Sequence, residues 1–163
     1  MNISEKELED WIFNADSETL AQIGLEEFSN CKRFRQVTIG DYGRADIITV
    51  SKSYNEFVQK TYPMLDINIY ELKINPVTSE DIDQVLRYST AVSELFNNRA
   101  IAPSVNMQCY LIAPSITSGH YILNHSDVVF ITYEFDIAGF KFTEHKNDWC
   151  KGNGALTYND IKL

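Results

Sequence analysis

The chain has 163 residues, with 14 Lys and Arg against 23 Asp and Glu, a formal charge of -9, and 44% hydrophobic residues. That length fits one domain around one core, and that apolar content excludes a disordered chain. The acidity argues against tight, autonomous binding to nucleic acid, where neutralising phosphate dominates affinity. No apolar run is long enough to span a bilayer, and the polar, acidic N-terminus shows no secretory signal. Cys31, Cys109 and Cys150 are odd in number and lack CxxC spacing. They argue against a disulfide framework or a structural zinc, and for a reducing, cytoplasmic setting.

In chain order, Ser4 caps a helix with Glu7 three residues on, and Leu8, Trp11 and Ile12 give it one apolar stripe. Residues 17–28 read as a second helical piece that Gly24 interrupts. Cys31-Lys-Arg-Phe-Arg35 is the densest basic cluster. Gln36–Ile39 and Arg44–Val50 read as a hairpin around the Gly40-Asp-Tyr-Gly43 turn. Residues 51–65 read as a polar, partly helical connection, and 66–74 as an apolar strand broken by Asn75-Pro76. Thr78 or Ser79 caps a long helix ending at Asn97-Asn98, with Glu80, Asp81 and Asp83 in its first turn. Cys109–Ala113 and Asp127–Tyr133 read as buried strands, with a short helix over Tyr121–His125 between them. Glu134–Ile137 and Phe140–Phe142 read as a closing extension or an edge hairpin, and 147–163 is a loosely held polar tail. A strand–long helix–strand unit implies a crossover and a parallel pair. The expected fold class is therefore α/β, a mixed central sheet flanked by helices, in a single domain over 1–163 with its core at about 4–142.

The stretch Ile69-Tyr-Glu-Leu-Lys73 carries the chemistry. Side chains alternate along a strand, so Glu71 and Lys73 share a face with Ile67 and Ile69, away from Tyr70 and Leu72. Two charges in an apolar strand are costly unless paired, hydrated or bound to a metal. Asp46 poses the same question in the hairpin, where an Asp is a poor strand former. It serves either a turn-end hydrogen bond or a ligand. Gln84 and Tyr88 lie four apart on one side of the long helix.

An acid on the first helix, an Asp after a Gly-rich turn, Glu-x-Lys in a strand and QxxxY on the next helix resemble the PD-(D/E)xK nuclease superfamily. The resemblance is nearest to its mismatch-specific endonuclease and RecB-like branches. It rests on Ser4–Ile12, Arg35-Gln36 with Gly40–Asp46, Ile69–Lys73, Gln84–Tyr88 and Tyr110–Ser115. It implies a restriction-endonuclease-like core and a Mg²⁺- or Mn²⁺-dependent endo- or exonuclease acting on DNA, less readily on RNA. Asp46 and Glu71 would hold the metal, and Lys73 would sit beside the attacking water or the scissile phosphate. Glu5 would support the metal through water, and Gln84 and Tyr88 would border the site. Gln36 would brace the hairpin or approach the substrate backbone. The family's proline before the first Asp is replaced by Ala45.

The chemistry agrees: a hard cation held by carboxylates with open positions neutralises phosphate and activates water. Lys32, Arg33, Arg35 and Arg44 form either a phosphate-contacting patch or a solvated face. Two other readings keep the fold. The chain could be a binding protein, such as an inhibitor, adaptor or nuclease subunit, which its acidity favours. Asp46, Glu71 and Lys73 could be a structural ion triad. A homodimer or a protein partner is expected, and no membrane.

Overall fold

The computed structural model of the chain describes residues 3–57, 60–98, 104–116 and 127–145. Among these, six strands form one mixed sheet in chain order: β1 (Lys32–Thr38), β2 (Arg44–Phe57), β3 (Lys60–Leu72), β4 (Ser104–Ala113), β5 (Val128–Asp136) and β6 (Gly139–His145). β1–β2, β2–β3 and β5–β6 pair antiparallel, while β3–β4 and β4–β5 pair parallel. The parallel β3–β4 pair is joined through α3 (Ser79–Asn98), as a strand–helix–strand crossover requires. The α/β class, a mixed central sheet with helices packed on it, follows from this layout.

Alternation along the strands builds two cores, one on each face. Ile48, Ile67, Ile69 and Leu111 pack with Val85, Tyr88 and Val92 of α3. Ile47, Tyr70, Leu72 and Ile112 pack with Leu8 and Ile12 of α1 (Glu5–Asn14), Leu20 of α2 (Ser17–Gln22), and Phe28. The capping box of α1 is present: Glu7 N donates to Ser4 Oγ at 3.2 Å, and Ser4 N donates to Glu7 Oε2 at 2.8 Å. At α3, Thr78 N donates to Asp81 Oδ2 at 2.8 Å. Gly24 sits at φ 101 after α2, where a Cβ would lie 2.4 Å from the carbonyl oxygen of Phe142 on β6. Only glycine allows that approach.

Several boundaries differ from expectation. Residues 51–65 are not a connection: β2 and β3 run on as a paired ribbon, from Ser51↔Asp66 to Phe57↔Lys60. The ribbon is polar because most of its described side chains face water, so it carries no apolar alternation. Pro63 is tolerated there because the described pairing with β4 starts one residue later, at Met64↔Ser104. β1 begins at Lys32 and so contains the basic cluster, and β3 ends at Leu72 rather than at Ile74. The Tyr121–His125 helix and the tail from 147 lie outside the described residues. No helix among the described residues is long and apolar enough to cross a membrane.

Candidate active site

The β2–β3 register pairs Ile47 with Tyr70, so one step further Asp46 faces Glu71. Both side chains lie on the α3 side of the sheet. Asp46 is 7% exposed and Glu71 3%. Asp46 Oδ2 accepts the backbone N–H of Leu72 at 2.8 Å, which fixes this carboxylate against the end of β3. Asp46 Oδ1 accepts from Gln36 Nε2 at 3.3 Å. Glu71 Oε1 accepts from Lys73 Nζ at 2.9 Å, whereas Glu71 Oε2 is buried with no hydrogen-bond partner. An orphaned carboxylate oxygen in an interior is expensive, and a bound cation would satisfy it.

Lys73 stands one residue past β3, with its backbone N–H still bonded to Ile112 O at 2.8 Å. Its ammonium also lies 3.3 Å from Gln84 Oε1 and 3.5 Å from Asp81 Oδ1. Gln84 Nε2 donates to the Tyr88 hydroxyl at 2.7 Å, and that hydroxyl donates to Arg44 O at 3.1 Å. This chain of hydrogen bonds ties the end of β3 to the start of β2 through one face of α3. Gly43, at φ 122, lets the turn pass over Tyr88: a Cβ there would sit 3.0 Å from the hydroxyl.

Electrostatics follow from burial. Desolvation pushes Glu71 up to about 7, and the charge of Asp46 adds to it against Lys73. Desolvation likewise pushes Asp46 up to about 6, opposed by the Leu72 N–H and Lys73 and reinforced by Glu5 and Glu9. Burial works against the Lys73 ammonium, but the hydrogen bond and charge of Glu71, with Asp81, outweigh it and hold Lys73 above its ordinary value. Lys73 is therefore a cationic donor here, not a base.

A pH dependence follows. Carboxylates raised in the folded state give stability that is full below their unfolded values and lost as pH rises through about 6 and about 7. The melting temperature of wild type relative to Glu71→Gln should therefore fall between pH 5 and pH 8 without metal, and Mn²⁺ should restore it at pH 8. Differential scanning calorimetry checks this. A pH-independent difference would contradict the raised value of Glu71.

The other expected site residues divide. Glu5 is exposed on the rim, near enough for its charge to raise both Asp46 and Glu71. Arg33 does not face outward. Its guanidinium donates to the carbonyls of Ile12 (3.3 Å), Phe13 (3.2 Å) and Ala15 (2.5 Å), closing the C-terminus of α1. Arg35 is held by Glu9 at 2.8 Å and Asp10 at 2.5 Å. Both arginines thus clamp α1 to β1. Lys32 and Arg44 are exposed.

Two residues had not been anticipated. Glu9 is 4% exposed and accepts from both Arg35 and Gln36, so the Gln36 amide links it to Asp46. Gln36 adopts φ 50 to make that link. Glu9 stands between Leu8 and Ile12 in the helix stripe, and that position was the available signal. Asp81 joins the α3 cap to Lys73, where its first-turn location alone suggested only a dipole partner.

Asp46 and Glu71 fit a hard divalent ion: two oxygen donors, one of them orphaned, beside a cation. No group of three or more His, Cys, Asp or Glu that could hold a metal occurs among the described residues. An ion here would keep positions for water and phosphate, as Mg²⁺ prefers.

No family model matches the chain, and no curated protein matches it. Two solved structures do. A repair endonuclease from Pyrococcus abyssi aligns with a TM-score of 0.52 and 22% identity, over 80% of this chain and 46% of its own. EndoMS in complex with dsDNA aligns with a TM-score of 0.50 and 22% identity, over 78% of this chain and 43% of its own. The chain spans less than half the length of either. The chain thus shares the α/β, restriction-endonuclease-like fold of these two structures, with Asp46, Glu71 and Lys73 gathered where the strands β2 and β3 meet α3.

Proposed function

We propose that the protein is a divalent-cation-dependent nuclease that hydrolyses phosphodiester bonds in DNA, acting in the cytoplasm. The observation that carries this reading is the buried Asp46–Glu71 pair, with Glu71 Oε2 unpartnered and the Lys73 ammonium at its side. Buried carboxylates raised toward neutrality beside a cation belong to sites that bind or react more often than to solvated surfaces. Asp46 and Glu71 would hold Mg²⁺ or Mn²⁺. The bound ion supplies charge neutralisation at the phosphate and lowers the pKa of a coordinated water.

The chain's own residues do the rest. Lys73, cationic, donates to a phosphate oxygen as negative charge develops there. Gln84 and Tyr88 hold Lys73 in line and fix the turn before Asp46. Gln36 orients Asp46, and Glu5 would support the ion through water. Lys32 and Arg44 contact phosphate directly, while Arg33 and Arg35 serve the same interface by holding α1. The likeness to a repair endonuclease and to EndoMS in complex with dsDNA supports a DNA substrate, cut internally or from an end. A homodimer would present two such sites to two strands; sedimentation showing only monomer on DNA would remove it.

A second reading, a non-catalytic binding protein of the same fold, is favoured by the net charge of -9. One assay separates the two. Labelled single- and double-stranded DNA is incubated with Mn²⁺ and either wild type or Lys73→Ala. Cleavage should fall about 10²–10³-fold in the variant. Equal cleavage by both proteins would mean a contaminant. No cleavage of any substrate by wild type would favour the binding reading.

A further inference from the structure

The segments that form the hydrogen-bonded chain into the site also form a second concavity. On α3, Asp83 and Arg87 immediately precede Gln84 and Tyr88; in the turn, Tyr42 precedes Gly43 and Arg44. Tyr42, Asp83, Leu86, Arg87 and Thr90 line an open cleft of about 400 Å³. Tyr42 is 45% exposed. Arg87 is exposed, and among the described residues its guanidinium meets no hydrogen bond or ion pair, unlike those of Arg33 and Arg35. Leu86 is partly buried beneath this surface and gives the cleft an apolar floor.

We propose that this cleft is a nucleotide subsite of the nuclease, in which Tyr42 stacks on a base of the bound strand and Arg87 takes an adjacent phosphate. The inference rests on the nuclease reading. Successive helix residues diverge by about 100°, so Gln84 and Tyr88 turn to the site while Asp83 and Arg87 turn to the cleft. A helix is about 10–12 Å across with its side chains, and a strand advances about 3.4 Å per nucleotide. A strand that crosses α3 from a reacting phosphate at Lys73 would span that width in about three or four nucleotides, the reach this subsite requires. Stacking on an aromatic face is sequence-tolerant, and a free arginine offers a bidentate phosphate contact. Asp83 sets one negative charge on the rim. It disfavours a bare anion and favours a ligand bound mainly through its base.

The test is fluorescence anisotropy with a labelled 12-mer, single-stranded and duplex, in EDTA, where a cation-dependent enzyme does not cut. Tyr42→Ala should weaken binding about 10-fold and Tyr42→Phe should not. Arg87→Ala should weaken it and reduce the slope of log K against log salt by about 1. Asp83→Asn should tighten it. Equal affinities for wild type, Tyr42→Ala and Arg87→Ala would overturn the subsite, as would no binding of either oligonucleotide by wild type. The nuclease reading fails separately: a wild type that shows this binding pattern but cuts nothing in Mn²⁺ retains the subsite and loses the catalysis.

Discussion

Glu71→Gln is expected to lower cation-dependent cleavage by about 10³-fold or more while raising the melting temperature of the metal-free protein at pH 8. The two signs have one cause. Glu71 is 3% exposed, its Oε2 has no partner, and burial together with Asp46 pushes it up to about 7. Ionised at pH 8, it stands unfavourably beside Asp46, and Lys73 compensates only one of its oxygens. The amide keeps the shape, can still accept from Lys73, and sheds the charge. It also removes the anionic oxygen a hard cation needs. In a chain of this size each kcal/mol appears as about 2–4 °C. Thermal unfolding and a gel-based cleavage assay read the two effects. A variant that melts lower than wild type would mean that the Glu71–Lys73 pair serves stability, and would sink the functional account of Glu71.

Glu9→Ala is expected to cost about 2–3 kcal/mol of stability, against less than about 1 kcal/mol for Asp10→Ala. Glu9 is buried and serves two donors, Arg35 and Gln36, whereas the Asp10 side chain is 41% exposed and serves Arg35 alone. Losing Glu9 leaves the half-buried Gln36 amide with Asp46 alone and loosens Arg35, so α1 loses one of its polar contacts with β1. Gln36 then loses the carboxylate that orients it toward Asp46, and cleavage should fall as well. Urea unfolding of the two variants measures the contrast. Similar losses for both would mean that Glu9 is no more than a surface partner of Arg35.

What the sequence made legible was local and periodic. The strand holding Glu71 and Lys73 stood out because apolar residues alternate around it. The structure has Ile67 and Ile69 on the α3 side and Lys73 reaching Gln84 on that helix. The long helix was legible from its cap and its stripe. The ribbon beyond Val50 was not, because a strand wet on both faces has the composition of a loop. The roles of Arg33 and Arg35 were not either. Their partners lie on α1, far off in sequence, and nothing local tells a clamping arginine from a phosphate-binding one. Glu9 was hidden for the opposite reason: its helix position is buried, but the groups that make burial tolerable arrive with β1.

The most direct measurement is calorimetric titration of Mn²⁺ into the wild type and into Asp46→Asn at pH 8. The account predicts saturable binding by the wild type that is weakened by about 10-fold or more in the variant, with proton release where Glu71 is part-protonated. Binding that is absent from the wild type, or unchanged by loss of the Asp46 carboxylate, would contradict it.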